Sequence, residues 1–164
     1  MKLGPLLARL HELELDLADE YRRIGERHAA DHDVLHQCHT FAKQCQQHAE
    51  RLAPIADRYG KHVDDESGGG DVWSGLIEKV LRAGSAAIGR APEGGLLLLR
   101  DLRELFLRTE ECSITWVMAG QAAQAARDPE LLEVVTECHT ETEIQAKWLT
   151  TRIKVAAPQA LVVG

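Results

Sequence analysis

The chain has 164 residues, of which 45% are hydrophobic and 27% are charged. This composition is typical of one globular domain with a sizeable core and excludes a disordered chain. The formal net charge of −7 disfavours binding to nucleic acid or to an anionic membrane surface, since both partners require a basic face. No uncharged apolar run approaches the ~20 residues that span a bilayer. The N-terminal segment meets His and Glu before a signal-peptide core could form, so we expect a cytoplasmic protein.

Apolar residues recur at spacings of three and four along four long segments, which predicts an all-α chain of amphipathic helices. Asp31 and Asp128 stand where they can cap the second and fourth helices, and Pro129 fits the first helical position. The four cysteines lie inside these helices and are expected to be reduced, buried thiols. The predicted helices cover residues of about 3–28, 32–59, 96–127 and 129–155.

The two hairpins that these helices form are separated by residues 60–95. This connection begins with a glycine-rich, acidic stretch, and Trp73, Leu76 and Val80 predict a short helix inside it. Two hairpins joined by one long crossover between the second and third helices is the layout of a ferritin-like antiparallel four-helix bundle. We therefore interpret residues 1–164 as a single domain of that fold.

Two glutamates interrupt apolar helix faces. Glu14 is surrounded by Leu7, Leu10 and Leu17 at helical spacing, and Glu110 has a similarly apolar neighbourhood. A carboxylate turned into a helical bundle is costly unless a cation, a hydrogen-bond network or a proton accompanies it. Both glutamates are therefore candidates for a functional site.

Two further pairs of polar residues each share one helix face. Cys45 and His48 are three residues apart, and His139 and Glu143 are four apart. Counting from the two short turns places the two glutamates, Cys45, His48 and Glu143 about 22–27 Å along their helices. If both hairpins turn at the same end of the bundle, the side chains converge on one interior layer.

At these residues the chain resembles the ferritin-like superfamily of di-iron carboxylate bundles, and most closely the small bacterial stress-associated ferritin-like proteins. The family pattern is a Glu from the first and third helices and a Glu-x-x-His from the second and fourth. Glu14, Glu110 and His48 match positions of this pattern, whereas Cys45 stands where the second helix should carry its bridging glutamate. The fourth helix has no Glu-x-x-His, so two bridging carboxylates are missing and ferroxidase or oxygen-activating chemistry is not expected.

The resemblance implies a modified site for one iron or zinc ion inside the bundle. Its candidate ligands are Glu14, Cys45, His48, Glu110, His139 and Glu143.

Other interpretations of the same residues stay open. The glutamates could be partly exposed and paired with neighbouring basic groups, His48 could be a satisfied core histidine, and a buried cysteine often behaves as a small hydrophobe. The chain would then be a metal-free, degenerate ferritin-like bundle that acts as an interaction or structural protein. Its apolar C-terminal tail and helix faces would serve self-association, with a homodimer as the expected assembly. A third interpretation is a bundle that holds a small apolar ligand, and the sequence leaves enzymatic activity open.

Overall fold

The computed structural model describes residues 2–61 and 94–163. Within these two ranges the chain forms long helices and no strand, which confirms the all-α prediction. The predicted crossover and its short helix fall mostly on residues 62–93 and lie outside the described residues. No described helix is long and apolar enough to cross a membrane. The helices are α1 (Leu3–Arg27), α2 (His32–Arg58), α3 (Gly94–Ala126) and α4 (Pro129–Pro158), and α4 continues into a π-helical turn, Gln159–Val163.

The two short turns are shaped by the capping residues that the sequence predicts. Asp31 accepts a hydrogen bond from the backbone N–H of Val34 at 3.2 Å, and Asp128 accepts one from Leu131 at 3.0 Å. Each cap satisfies a backbone donor that the first turn of a helix leaves without a partner. Arg127, with a φ of +53°, reverses the chain just before the second cap.

The helices form a four-membered bundle in which α1 packs against α2 and α3, and α4 packs against α3 and α2. Contacts at the helix ends give the directions. His28, just after α1, lies 2.8 Å from Asp101 near the start of α3, and Tyr59, just after α2, donates to Asp128 at 2.8 Å. The α1–α2 turn and the α3–α4 turn therefore lie at opposite ends of the bundle, and α2 and α3 run in the same direction.

This arrangement corrects one assumption made from the sequence. The convergence of all candidate ligands on one layer required both hairpins to turn at the same end, and that requirement is wrong. Helical periodicity specifies which face of each helix is buried but not which way one hairpin points relative to another. The charged ends decide the direction, because Asp31 pairs with Arg152 near the end of α4 and Asp128 pairs with Arg58 near the end of α2.

The core is built mainly from leucine and alanine, with few large aromatic side chains. Tyr21, Phe41 and Trp116 are the bulkiest fully buried side chains among the described residues. The four cysteines are also buried, and no disulfide joins them. Some polar side chains also lie deep inside this core, and those at most 1% exposed are His11, Glu14, His48, Thr109, Thr142 and Gln145.

Candidate functional site

Glu14 lies on the buried face of α1, as its apolar neighbours predict. Leu7, Leu10, Leu17 and Tyr21 occupy the same face and are each at most 1% exposed. Because a straight helix carries residues at these spacings on one side, the Glu14 side chain follows them into the core and has no exposed surface. The burial that the sequence predicts for this carboxylate is confirmed.

Two side chains approach the Glu14 carboxylate from different helices. The indole Nε1 of Trp116 on α3 donates a hydrogen bond to Oε1 at 2.6 Å. The Nδ1 of His48 on α2 lies 3.3 Å from Oε2, but this contact lacks the geometry of a hydrogen bond. Oε2 and both imidazole nitrogens are thus buried polar atoms without a hydrogen bond in the described part of the chain. A buried polar atom of this kind calls for an explanation, and a bound water molecule or ion is one.

His48 also connects this interior carboxylate with the bundle surface. Its Nε2 lies 3.5 Å from an oxygen of Glu141 on α4, whose side chain is 40% exposed. The imidazole itself is only 1% exposed. A row of Glu14, His48 and Glu141 therefore runs from the interior to the rim.

Thiols form much of the remaining surroundings of Glu14. Cys45 lies one helical turn before His48, and burial, followed by the negative charge of Glu14, raises its pKa well above the ordinary value. Burial likewise raises the pKa of Cys138 to about 12 and that of Cys112 further. These thiols keep their protons at neutral pH and act as ligands only for a cation that displaces the proton.

A second layer of polar groups adjoins the site towards the α1–α2 turn. The Tyr21 hydroxyl lies 2.9 Å from the Thr109 hydroxyl and donates to the side-chain oxygen of Gln145 at 3.4 Å. The Gln145 amide in turn donates to Gln44 at 3.0 Å, and the Cys45 thiol donates to Gln145 at 3.7 Å. The hydrogen bonds of this layer link α1, α2, α3 and α4 through side chains alone.

Of the six predicted ligands, the structure brings Glu14, Cys45 and His48 together. It does not bring in Glu110, which is exposed on the outer face of α3, so the prediction that this carboxylate faces the interior is wrong. The apolar neighbours that suggested burial, Ile114 among them, are exposed as well.

His139 and Glu143 lie at the rim of the α3–α4 pair. The Nε2 of His139 lies 3.1 Å from the Ser113 hydroxyl and 3.9 Å from the Glu143 carboxylate, which is 64% exposed. These two residues face each other as predicted, but they contact each other and Ser113 rather than Glu14. Because the α3–α4 turn lies at the opposite end of the bundle from the α1–α2 turn, the α3 residue that lies at the height of Glu14 is Trp116.

Several polar residues in or beside the site were not predicted as site residues. Trp116 belongs to the apolar seam of α3, and its indole N–H needs an acceptor when it is buried, which is a signal that the sequence does carry. His11 is fully buried three residues before Glu14, on the face that also carries Leu7. Whether Glu141 and Gln145 lie near the site depends on the direction of α4 relative to α2, and no pattern within a single helix predicts that direction.

The donor set does not fit a di-iron pair. Paired iron ions need several carboxylates at one level of the bundle, and Glu14 supplies the one fully buried carboxylate within residues 2–61 and 94–163. In the same ranges no group of three or more His, Cys, Asp or Glu side chains is assembled tightly enough to hold a metal ion. What remains near Glu14 is a narrower set with one carboxylate, one imidazole and one adjacent thiol.

Comparison with known proteins identifies no relative. No family model, no curated protein and no solved structure matches the chain.

Proposed function

We propose that this chain is a ferritin-like bundle that holds one divalent cation, zinc or ferrous iron, between α1 and α2. The helix directions support the ferritin-like part, because α2 and α3 run in the same direction while neighbouring helices are antiparallel. This is the arrangement that two hairpins adopt when one long connection joins them. The proposed site uses Glu14 and His48 as its central ligands. The Cys45 thiol, one helical turn before His48, would have to move closer to become the third, since the three groups are not yet assembled tightly enough to hold an ion.

One observation carries the proposal. The Glu14 Oε2 and the His48 Nδ1 face each other at 3.3 Å, fully buried, without a hydrogen bond between them. Two ligand atoms bound to one zinc ion at about 2.0–2.2 Å are separated by a similar distance when the geometry is tetrahedral. A buried carboxylate otherwise requires another source of compensation.

The three side chains suit a single cation of intermediate softness. Carboxylate, imidazole and thiolate are all ligands of zinc, and the first two also bind ferrous iron. A bound divalent ion would supply positive charge beside Glu14 and would tie α1 to α2. Trp116 orients the carboxylate by holding Oε1, so that Oε2 is presented to His48.

Metal titration of the untagged, chelator-treated protein tests this function. We expect one zinc or ferrous ion per chain and a higher melting temperature on binding, since a ligand of the folded state stabilises it. Glu14→Gln and His48→Gln should abolish that response, while Glu110→Gln and His139→Gln, which alter exposed or rim residues, should preserve it. Absence of binding to the wild-type chain, or equal binding by folded Glu14→Gln, contradicts the proposal.

A second candidate function is a metal-free bundle that works through protein contacts. It is favoured by the position of His48 between the Glu14 and Glu141 carboxylates, at 3.3 and 3.5 Å. A histidine held between two carboxylates offsets the cost of burying Glu14 without a metal. In this case zinc leaves the melting temperature unchanged, and Glu141→Gln weakens the fold, whereas Glu143→Gln does not.

A further inference from the structure

The outer face of α3 carries a row of residues that we call the α3 stripe. All of its members are exposed, including large apolar side chains: Leu107 is 46% exposed, Ile114 58% and Met118 53%. Large apolar residues repeated along one exposed helix face mark an interaction surface. The stripe consists of Leu96, Arg100, Arg103, Leu107, Glu111, Ile114 and Met118.

The spacing of the α3 stripe is symmetric about its centre. Counting outward from Leu107, its members follow at steps of four, three and four residues in both directions. Two copies of α3 laid antiparallel, with a twofold axis at Leu107, therefore match position by position. Leu96 then lies opposite Met118, and each stripe runs about 33 Å along its helix.

The charges of the stripe agree with this antiparallel register. Arg103 of one copy lies opposite Glu111 of the other, whose carboxylate also lies 3.5 Å from Arg9 of its own chain, and the twofold axis produces this pair twice. Arg100 lies opposite Ile114, where the aliphatic stem of the arginine can cover the apolar side chain. Its guanidinium meanwhile stays on Asp101, at 3.0 Å. A parallel pairing would instead place like charges against each other.

We propose that the α3 stripe is the interface of a homodimer in which two copies of α3 pack antiparallel about Leu107. The stripe lies on the side of α3 that faces away from Trp116 and Glu14, so this assembly does not depend on the cation site. The partner is a second copy of this chain because one surface supplies both halves of each predicted contact.

Disulfide trapping tests the register directly. A residue on a twofold axis meets its own copy, so Leu107→Cys should give a covalent dimer after mild oxidation. Ile114→Cys is the matched control, since its predicted neighbour is Arg100 and it should cross-link far less. The wild-type chain should give no covalent dimer because its four cysteines are buried. Equal cross-linking of both variants, or none by either, overturns the register.

Charge reversal tests the same contacts without cysteine. Sedimentation should show a dimer of the wild type, with Arg103→Glu and Glu111→Arg each weakening association by about tenfold. The double variant restores the opposite charges and should recover most of that loss. A wild-type chain that is monomeric at every concentration overturns the proposal, as does a double variant no tighter than the single ones.

Discussion

The indole of Trp116 and the imidazole of His48 divide the two oxygens of the Glu14 carboxylate between them. The indole Nε1 donates a hydrogen bond to Oε1 at 2.6 Å, whereas the imidazole Nδ1 lies 3.3 Å from Oε2 without a hydrogen bond. An uncompensated carboxylate in an aliphatic core would destabilise the fold by several kcal/mol. The Trp116 hydrogen bond is therefore a main stabilising contact of this residue, whether or not a cation is bound.

Removing that donor should be measurable. Trp116→Phe keeps an aromatic ring but leaves Oε1 without its hydrogen bond, so we expect the free energy of unfolding to fall by about 2–4 kcal/mol. Trp148→Phe is a matched control, because Trp148 packs edge-on against Phe41 and is only partly buried. Urea unfolding measures both variants. An equal loss in the two would show that the indole hydrogen bond contributes little.

Asp101 is a second buried carboxylate, and its compensation is of another kind. Burial raises its pKa, but hydrogen bonds from His28, Arg100 and Arg27 outweigh this and hold the pKa at about 2, below the ordinary 3.8. A lowered pKa in the folded state contributes stability above pH 3.8, and this contribution is lost as the pH falls towards 2. The stability of the bundle therefore depends on this carboxylate at neutral pH.

Asp101→Asn should reveal that dependence. At pH 7 we expect the variant to lose about 2 kcal/mol of unfolding free energy. The difference from wild type should shrink as the pH falls from 4 towards 2, because the wild-type carboxylate then becomes protonated as well. Urea midpoints measured across this range give the curve. Glu110→Gln, at an exposed position, should show no such pH-dependent loss, and a loss for Asp101→Asn that is constant with pH would contradict the assignment.

At the scale of the helices, α1 and α2 approach closely near their shared turn. A Cβ atom added at Gly25 would lie 2.8 Å from the Cβ of Cys38, closer than two carbon atoms pack. Glycine lowers helix stability by about 1 kcal/mol relative to alanine, so its presence inside α1 needs a steric reason. The contact with Cys38 supplies that reason.

In Gly25→Ala, the higher helix propensity of alanine raises the stability of the fold, while the steric contact of its Cβ with Cys38 lowers it. We expect the steric contact to dominate, so the free energy of unfolding, measured by thermal or urea unfolding, should fall by about 1–3 kcal/mol. Cys38→Gly removes the opposing Cβ, so the penalty of Gly25→Ala should become smaller in that background. A gain in stability from Gly25→Ala alone would show that α1 and α2 can separate at this point without cost.

The helices themselves could be predicted from sequence, whereas their relative direction could not. Periodic apolar residues and the caps Asp31 and Asp128 mark where each helix lies, and these are local signals. Glu14 is correctly expected inside because its face is apolar and buried. Glu110 shows the limit of this reasoning, since its apolar neighbours belong to a face of α3 that the bundle leaves exposed. An apolar face indicates that something packs there, not that the bundle core does.

At the scale of the whole molecule, the two hairpins hold each other at their ends. Asp101 receives Arg27 and His28 from the first hairpin, and Asp128 receives Arg58 and Tyr59. Each end of the bundle thus carries ion pairs between hairpins. We expect the described helices to unfold as one cooperative unit, since releasing either hairpin breaks contacts at both ends.

The Glu14 carboxylate and the indole that donates a hydrogen bond to it are far apart in sequence, since Trp116 lies 102 residues after Glu14. During synthesis, α1 and α2 leave the ribosome long before the indole that completes their interior. Until α3 is made, the carboxylate lacks the indole donor, and within the first hairpin it has His48 of α2 beside it. Non-local contacts of this kind slow folding, so in a variant whose other two tryptophans are replaced by phenylalanine we expect the fluorescence change of Trp116 to be among the last events of refolding.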